Sequence, residues 1–319
     1  MEQQNKRILT LDLIKGISVI GMIIIHTLLV YANVKSQYET AIGSFIVFLG
    51  RGTSIFLICM GITFMTSSHQ SLKSALKRGV LQLAGMSLLF VGFIREYVKN
   101  KYIILAIGLF VALISREVSG INLDYPVINY ILDLLFNTDY PAYVYFPVFP
   151  WMAFIIIGMF FGKWFQELNY NSKQLFRNML YVGLVFVAVG APLVFLYGEY
   201  NYNGFYHMGP GGVVYFAGWT LIFLWIIYTL TVNSKENKAI KVLKYCSRNL
   251  TSMYMIQWIL ISWGKGIFGY RQHSIGYVMV LVVLYIILTF SVQTLVDIVR
   301  KKKTLIVFRP MSADKTVLK

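Results

Sequence analysis

Four side chains could carry chemistry in a chain that otherwise offers little of it: Asp12, Lys15, His26 and Arg51. The first three share the run RILTLDLIKGISVIGMIIIH. On a helix, eleven residues at about 100° each return to nearly the same face after a rise of about 16 Å. Lys15 and His26 have that separation, and Asp12 precedes Lys15 by three, close enough for the two to neutralise each other. One stripe would then hold a carboxylate, an ammonium and an imidazole. An imidazole titrates near neutral pH and suits proton transfer. Arg51, in LGRGTSIFLICMG, presents a planar fork that fits phosphate or carboxylate. The plainer alternatives are an interfacial ion pair for Asp12 and Lys15, and a local hydrogen bond for His26.

The elements that must position these groups are apolar helices. Hydrophobic residues make up 57% of the 319 and charged ones only 13%, against about a quarter charged in soluble domains. Mean hydropathy is +0.65. Apolar runs recur at roughly 9–30, 42–66, 79–95, 101–115, 124–137, 148–163, 178–198, 212–232, 249–265 and 275–298. A crossing needs about 20 residues, so the first two and last four are the clearest. Between residues 79 and 163 an alternative with two crossings and re-entrant or interfacial segments stays open. The expected fold is an all-α, polytopic integral membrane bundle of about ten helices. It forms one domain over 1–319, with no separate soluble domain and no internal repeat. The first run holds Asp12 and Lys15 and lacks a small-x-small site after it, so it reads as a span rather than a cleaved signal.

The net charge of +16 resolves by position. The segments 1–7, 67–79, 163–177, 233–248 and 300–319 carry surpluses of one, three, two, four and six, and the rest of the chain cancels. Basic loops held inside are the positive-inside pattern, which places the tails 1–7 and 300–319 in the cytoplasm. The loop 95–101, with Arg95, Lys99 and Lys101, falls outside under the ten-span count and breaks the pattern. Spread over five short loops, the charge does not make a nucleic-acid surface. The RKKK run at 300–303 suits anionic lipid.

Two stretches read as outer loops are aromatic. TDYPAYVYFPVFPW ends in Trp151, and GEYNYNGFYHMGPGG holds Glu199, Asn201, Tyr202, Asn203 and His207. They suit either an interfacial aromatic belt or a stacking platform for a sugar. On the second reading Glu199 and the two asparagines are hydrogen-bond partners and His207 is a further acid or base. The glycines and Pro210 read as a shaped loop. Cys59 and Cys246 give no disulfide or metal spacing.

The opening run resembles the first helix of the transmembrane acyltransferase superfamily, which includes the acyltransferase-3 proteins and bacterial relatives of heparan-α-glucosaminide N-acetyltransferase. A basic residue, ten others and then histidine is that family's spacing. Here it is Lys15 and His26, with lysine where arginine is usual. FLGRGTSIFLICMGITF, FPVFPWMAFIIIGMFFGKW and SRNLTSMYMIQWIL resemble later segments in the family order, with Gln257 where members often have histidine.

The resemblance implies transfer of an acyl group, usually acetyl from cytoplasmic acetyl-CoA, to a hydroxyl or amine of a sugar or glycan on the far side. His26 would be general base or nucleophile, with the one-step general-base route preferred. Asp12 or Glu199 would orient or charge-balance the imidazole, Lys15 would stand with His26 and Asp12 in the catalytic group, and Lys15 and Arg51 would hold the donor. Glu199, Tyr202, His207 and Trp151 would face the acceptor. Acetyl-CoA enters as co-substrate and no metal is expected. The setting would be a bacterial plasma membrane, with polysaccharide modification in the cell envelope as the role and oligomeric state open, a homodimer being one option. The alternative function is a transporter or flippase for a lipid-linked sugar or small metabolite, which inverted repeats would favour.

Overall fold

A computed structural model describes residues 8–50, 52–66, 82–118, 125–136, 147–202 and 208–307. Among them the chain is almost wholly helical, without strands; one isolated backbone bridge joins Ala32 and His273. In chain order the helices are α1 (Leu9–Tyr31), α2 (Val34–Tyr38), α3 (Ala41–Gly50), α4 (Thr53–Thr66), α5 (Gln82–Tyr97), α6 (Lys101–Val118) and α7 (Pro126–Phe136). They continue with α8 (Val148–Glu167), α9 (Ser172–Leu196), α10 (Gly198–Tyr202), α11 (Pro210–Thr231), α12 (Lys238–Arg248), α13 (Leu250–Phe268) and α14 (Ile275–Val307).

By length and composition, six segments of the described residues suffice to cross a membrane: Leu9–Tyr31, Ala41–Thr66, Val148–Glu167, Ser172–Leu196, Pro210–Thr231 and Ile275–Lys301. The other four runs read from the sequence coincide with α5, α6, α7 and α13, which are shorter or more polar. Contacts divide the chain into two compact units, Met1–Lys15 with Arg51–Lys241, and Gly16–Gly50 with Val242–Lys319.

The first unit is organised around α8. Its sequence is apolar all round, and a helix of that kind must be enclosed on every side. From Val148 to Gly162 every residue is buried. Helices α4, α5, α6 and α7 pack against it. The tightest approach is to α4, where Gly61 and Gly158 let the backbones meet. A Cβ on Gly158 would fall on the Ile58 carbonyl oxygen, and one on Gly61 on that of Ile155. Small residues four apart, Gly158 and Gly162, are a recurrent device for close helix pairs in membranes. Helices α9 and α11 form a second closely packed pair, with Phe176 stacked on Tyr228 at 4.3 Å. The start of α9 is capped by Asn171, whose side-chain oxygen accepts from the Gln174 amide at 3.1 Å.

The contacts define the two ends of this unit. At one end Lys101 pairs with Glu167, Gln166 Nε2 donates to the Met65 carbonyl at 2.8 Å, and the Arg95 guanidinium lies 5.2 Å from the centre of the Phe64 ring. At the other end Phe136 stacks on Phe149 at 4.6 Å. There the Tyr200 hydroxyl also donates to Glu117. The segment 95–101 therefore lies at the same end as 163–171, not at the opposite end expected from ten crossings. The physical reason is length. Helices α5 and α7 have 16 and 11 residues, short of the roughly 20 that a crossing needs.

The α4–α8 contact yields a direct stability test. Gly158→Ala places a methyl group on the Ile58 carbonyl. It is expected to lower stability by about 1–3 kcal/mol, the usual range for overpacking, seen as a reduced thermal midpoint of the purified protein in detergent.

Candidate functional site

The second unit holds His26. Its register is set at one end by a tied turn. The Arg271 and His273 amides donate to the carbonyls of Val30 and Tyr31 at 2.9 and 3.0 Å, and the Asn33 amide donates to the His273 carbonyl at 2.9 Å. Just below, the Tyr31 hydroxyl donates to the Ile261 carbonyl at 2.6 Å and shares a 2.6 Å hydrogen bond with Tyr285. Both phenols rest over Gly264, where a Cβ would collide with their oxygens. Helices α1, α13 and α14 are thereby fixed against one another.

His26 lies five residues before Tyr31 on α1, and Gln257 and Trp258 lie about one turn before Ile261 on α13. The fixed register brings them together. The imidazole is 4.5 Å from the Trp258 ring and 6.1 Å, edge-on, from Tyr254, with the Gln257 side chain beside it. Four polar atoms there are buried without a well-formed hydrogen bond: His26 Nδ1, Gln257 Oε1, Gln257 Nε2 and Trp258 Nε1. In an apolar surround each such atom is costly, and buried polar groups left over in native folds call for a specific explanation. The four carry both kinds of function. The amide and indole N–H groups donate, while the Gln257 oxygen and an unprotonated ring nitrogen accept. Further along, α14 adds Thr289, whose buried hydroxyl also lacks a partner. Gln293 follows, donating to Asp297 at 2.9 Å. Asp297 accepts the Tyr245 hydroxyl at 2.7 Å, and burial together with that carboxylate pushes Tyr245 up to about 12.

The other residues singled out from the sequence fall elsewhere. Asp12 sits in the first turn of α1, where a carboxylate suits the helix dipole. Lys15 donates to the Thr63 hydroxyl, which in turn donates to the Cys59 carbonyl at 2.7 Å; both contacts belong to the first unit. Arg51, Asn203 and His207 lie outside the described residues. Glu199 is exposed on α10, its carbonyl 3.4 Å from Arg116. Tyr202 stacks on Phe216 at 6.0 Å. On the same short helix Tyr200 has its pKa raised, first by its hydrogen bond to Glu117 and then by burial.

Two expectations need correction. The sequence offers Trp151 either to an interfacial aromatic belt or to a sugar platform, but it is 0% exposed and packs in the core beside Phe154 at 5.6 Å. Asn201 was read as a hydrogen-bond partner for a sugar. It instead joins two helices, because Nδ2 donates to the Leu193 and Tyr197 carbonyls at 2.9 and 3.2 Å and Oδ1 accepts from the Gly211 amide at 2.7 Å. That closes the end of α9 and the start of α11. The stretch read as a loop accordingly contains the helix α10, and Pro210 is the first residue of α11.

Gln257 and Trp258 were not among the residues singled out as site candidates. The available clue was cost: a fully buried glutamine in an apolar helix needs a reason, as did His26.

Fold and site together define a helical membrane protein with an unpaired histidine–amide–indole group among its helices. The family model "heparan-alpha-glucosaminide N-acetyltransferase, catalytic" matches residues 7–107 and 77–198. Together these overlapping segments cover residues 7–198, more than half of the chain, which belongs to that family and is thus an acetyltransferase-type membrane enzyme. Comparison with curated proteins and with solved structures found no match.

Asn201→Ala separates a structural role from a substrate-binding one. It leaves the Gly211 amide without the Asn201 acceptor, a buried unmade bond worth about 1–3 kcal/mol, while the Leu193 and Tyr197 carbonyls keep their backbone donors. A lowered thermal midpoint is expected. If stability is unchanged, the capping role is wrong.

Proposed function

We propose that this protein transfers an acetyl group from acetyl-CoA, entering from the cytoplasmic face, to a hydroxyl or amine of a sugar or glycan on the outer face, with His26 as general base. The reading rests on one observation above all: His26 sits within a helix pack with Nδ1 buried and unpaired, in a chain of an acetyltransferase family. A histidine used only for structure would be expected to have both ring nitrogens satisfied.

The reaction balances with one base. An imidazole nitrogen of His26 takes the proton as the acceptor oxygen or nitrogen forms its bond to the thioester carbon. The carbonyl becomes an oxyanion, which collapses and expels the CoA thiolate. The thiolate then recovers the proton from the imidazolium. General-base assistance of this kind contributes about 10²–10⁴-fold.

The remaining assignments follow the same reading. Lys15 and Arg51 contact the phosphate or pantetheine part of the donor, and Asp12 balances charge near Lys15. Glu199, Tyr202 and His207 serve the acceptor side. The whole chain acts as one transmembrane domain in a bacterial plasma membrane, with both tails cytoplasmic. Of the roughly ten apolar helices, α5 and α7 are the two assigned to partial or interfacial insertion. Anionic lipid meets the basic face.

Acetyl transfer by purified protein tests the proposal, with a panel of sugar acceptors and wild type set beside His26→Ala. The expected outcome is acetylated acceptor with wild type and a loss of about 10²-fold or more in the variant, at an unchanged thermal midpoint. Equal transfer by both would remove His26 from the mechanism. A wild type inactive on every acceptor would overturn the acetyltransferase reading.

A further inference from the structure

We propose that the side-chain N–H groups of Gln257 and Trp258 form the binding site for the acetyl carbonyl, stabilising the oxyanion that develops beside His26. The inference rests on the acetyl-transfer reading and deepens it. It starts from the inventory of unpaired atoms. Gln257 is 0% exposed and both its amide atoms are without a well-formed hydrogen bond, as is the buried Trp258 indole nitrogen. Gln257 lies beside the imidazole and the Trp258 ring is 4.5 Å from it. Two donors from consecutive residues of α13 therefore stand next to the base without a well-formed hydrogen bond, the indole with the Tyr254 hydroxyl also nearby.

The donor set selects the chemistry of the ligand. A carbonyl oxygen has two lone pairs and no hydrogen, so it can accept from an amide and an indole at once. The acceptors left over, Gln257 Oε1 and His26 Nδ1, match the O–H or N–H of the attacking group. Donors prearranged at the position where negative charge develops are among the largest contributions to acyl transfer, and more so in a site from which water is excluded. In the reaction above, these N–H groups hold the carbonyl oxygen while the nucleophile adds. They strengthen their hold as the oxygen becomes anionic, and release it when the carbon–sulfur bond breaks. No proton moves to or from Gln257 or Trp258. The Trp258 ring also packs against the imidazole at 4.5 Å, so removal of the N–H alone separates packing from hydrogen bonding in that side chain.

The variants are Gln257→Glu, which keeps shape and loses both amide N–H groups, and Trp258→Phe, which keeps an aromatic face and loses the indole N–H. They are compared with wild type and His26→Ala for kcat and KM with acetyl-CoA. The carbonyl stretch of bound acetyl-CoA labelled with ¹³C at the carbonyl is recorded by difference infrared spectroscopy. The inference expects kcat to fall about 10²-fold in each variant, with KM for acetyl-CoA changed by less than about threefold. It also expects the carbonyl band, shifted to low frequency in wild type by its hydrogen bonds, to move back up. Should one variant fail to fold, the other decides the question. If wild type is active and His26→Ala inactive while both variants keep wild-type kcat and an unmoved band, this inference falls and the acetyl-transfer reading stands. An inactive wild type overturns both.

Discussion

Within a pack of apolar helices, a polar atom has no water to fall back on. It is satisfied by another side chain, by backbone or by a bound group, or it destabilises the fold. Parts of the second unit obey that constraint. Tyr31 and Tyr285 satisfy each other and the Ile261 carbonyl, Thr27 donates to the Ile23 carbonyl at 2.7 Å, and Tyr245, Asp297 and Gln293 form a chain. The clearest concentration of exceptions surrounds His26, where an imidazole, an amide and an indole stand together with unmet capacity. The register that assembles them is rigid, set by the tied turn after α13 and by the two phenols over Gly264. The imidazole is thus positioned by the tied turn and the two phenols, groups that make hydrogen bonds of their own.

The first unit follows a different constraint, that of an all-apolar helix. Enclosing α8 requires neighbours on every side, and the closest contact is made possible by glycines on both partners. The same packing settles which segments share an end. Lys101 with Glu167, and Gln166 with the Met65 carbonyl, bring the basic segment 95–101 to the end that holds 163–171.

Much of this was legible from composition and periodicity. Runs expected at 9–30, 148–163, 212–232 and 249–265 are the helices Leu9–Tyr31, Val148–Glu167, Pro210–Thr231 and Leu250–Phe268. Hydropathy finds such elements because a long apolar run has few other options. It placed the start of α9 six residues late, since the polar turn SKQLFR begins a helix only through its Asn171 cap. His26 was legible because a titratable group in a span is rare. Its neighbours were not, since Gln257 and Trp258 are more than 230 residues away along the chain and hydropathy does not say which helix faces meet. Trp151 and Asn201 were misplaced for a related reason. An aromatic or an amide near a helix end suits a sugar site and a buried joint equally well, and only packing separates the two.

The central claim is that the unpaired group at His26 is where the acetyl carbonyl binds. The most direct measurement is an experimental structure of the protein in lipid with acetyl-CoA bound. The account expects the carbonyl oxygen of the acetyl group within hydrogen-bonding distance, about 2.7–3.2 Å, of Gln257 Nε2 and Trp258 Nε1, with His26 on the side from which the acceptor approaches. An acetyl group bound away from α13, with Gln257 and His26 still unpaired, would contradict it.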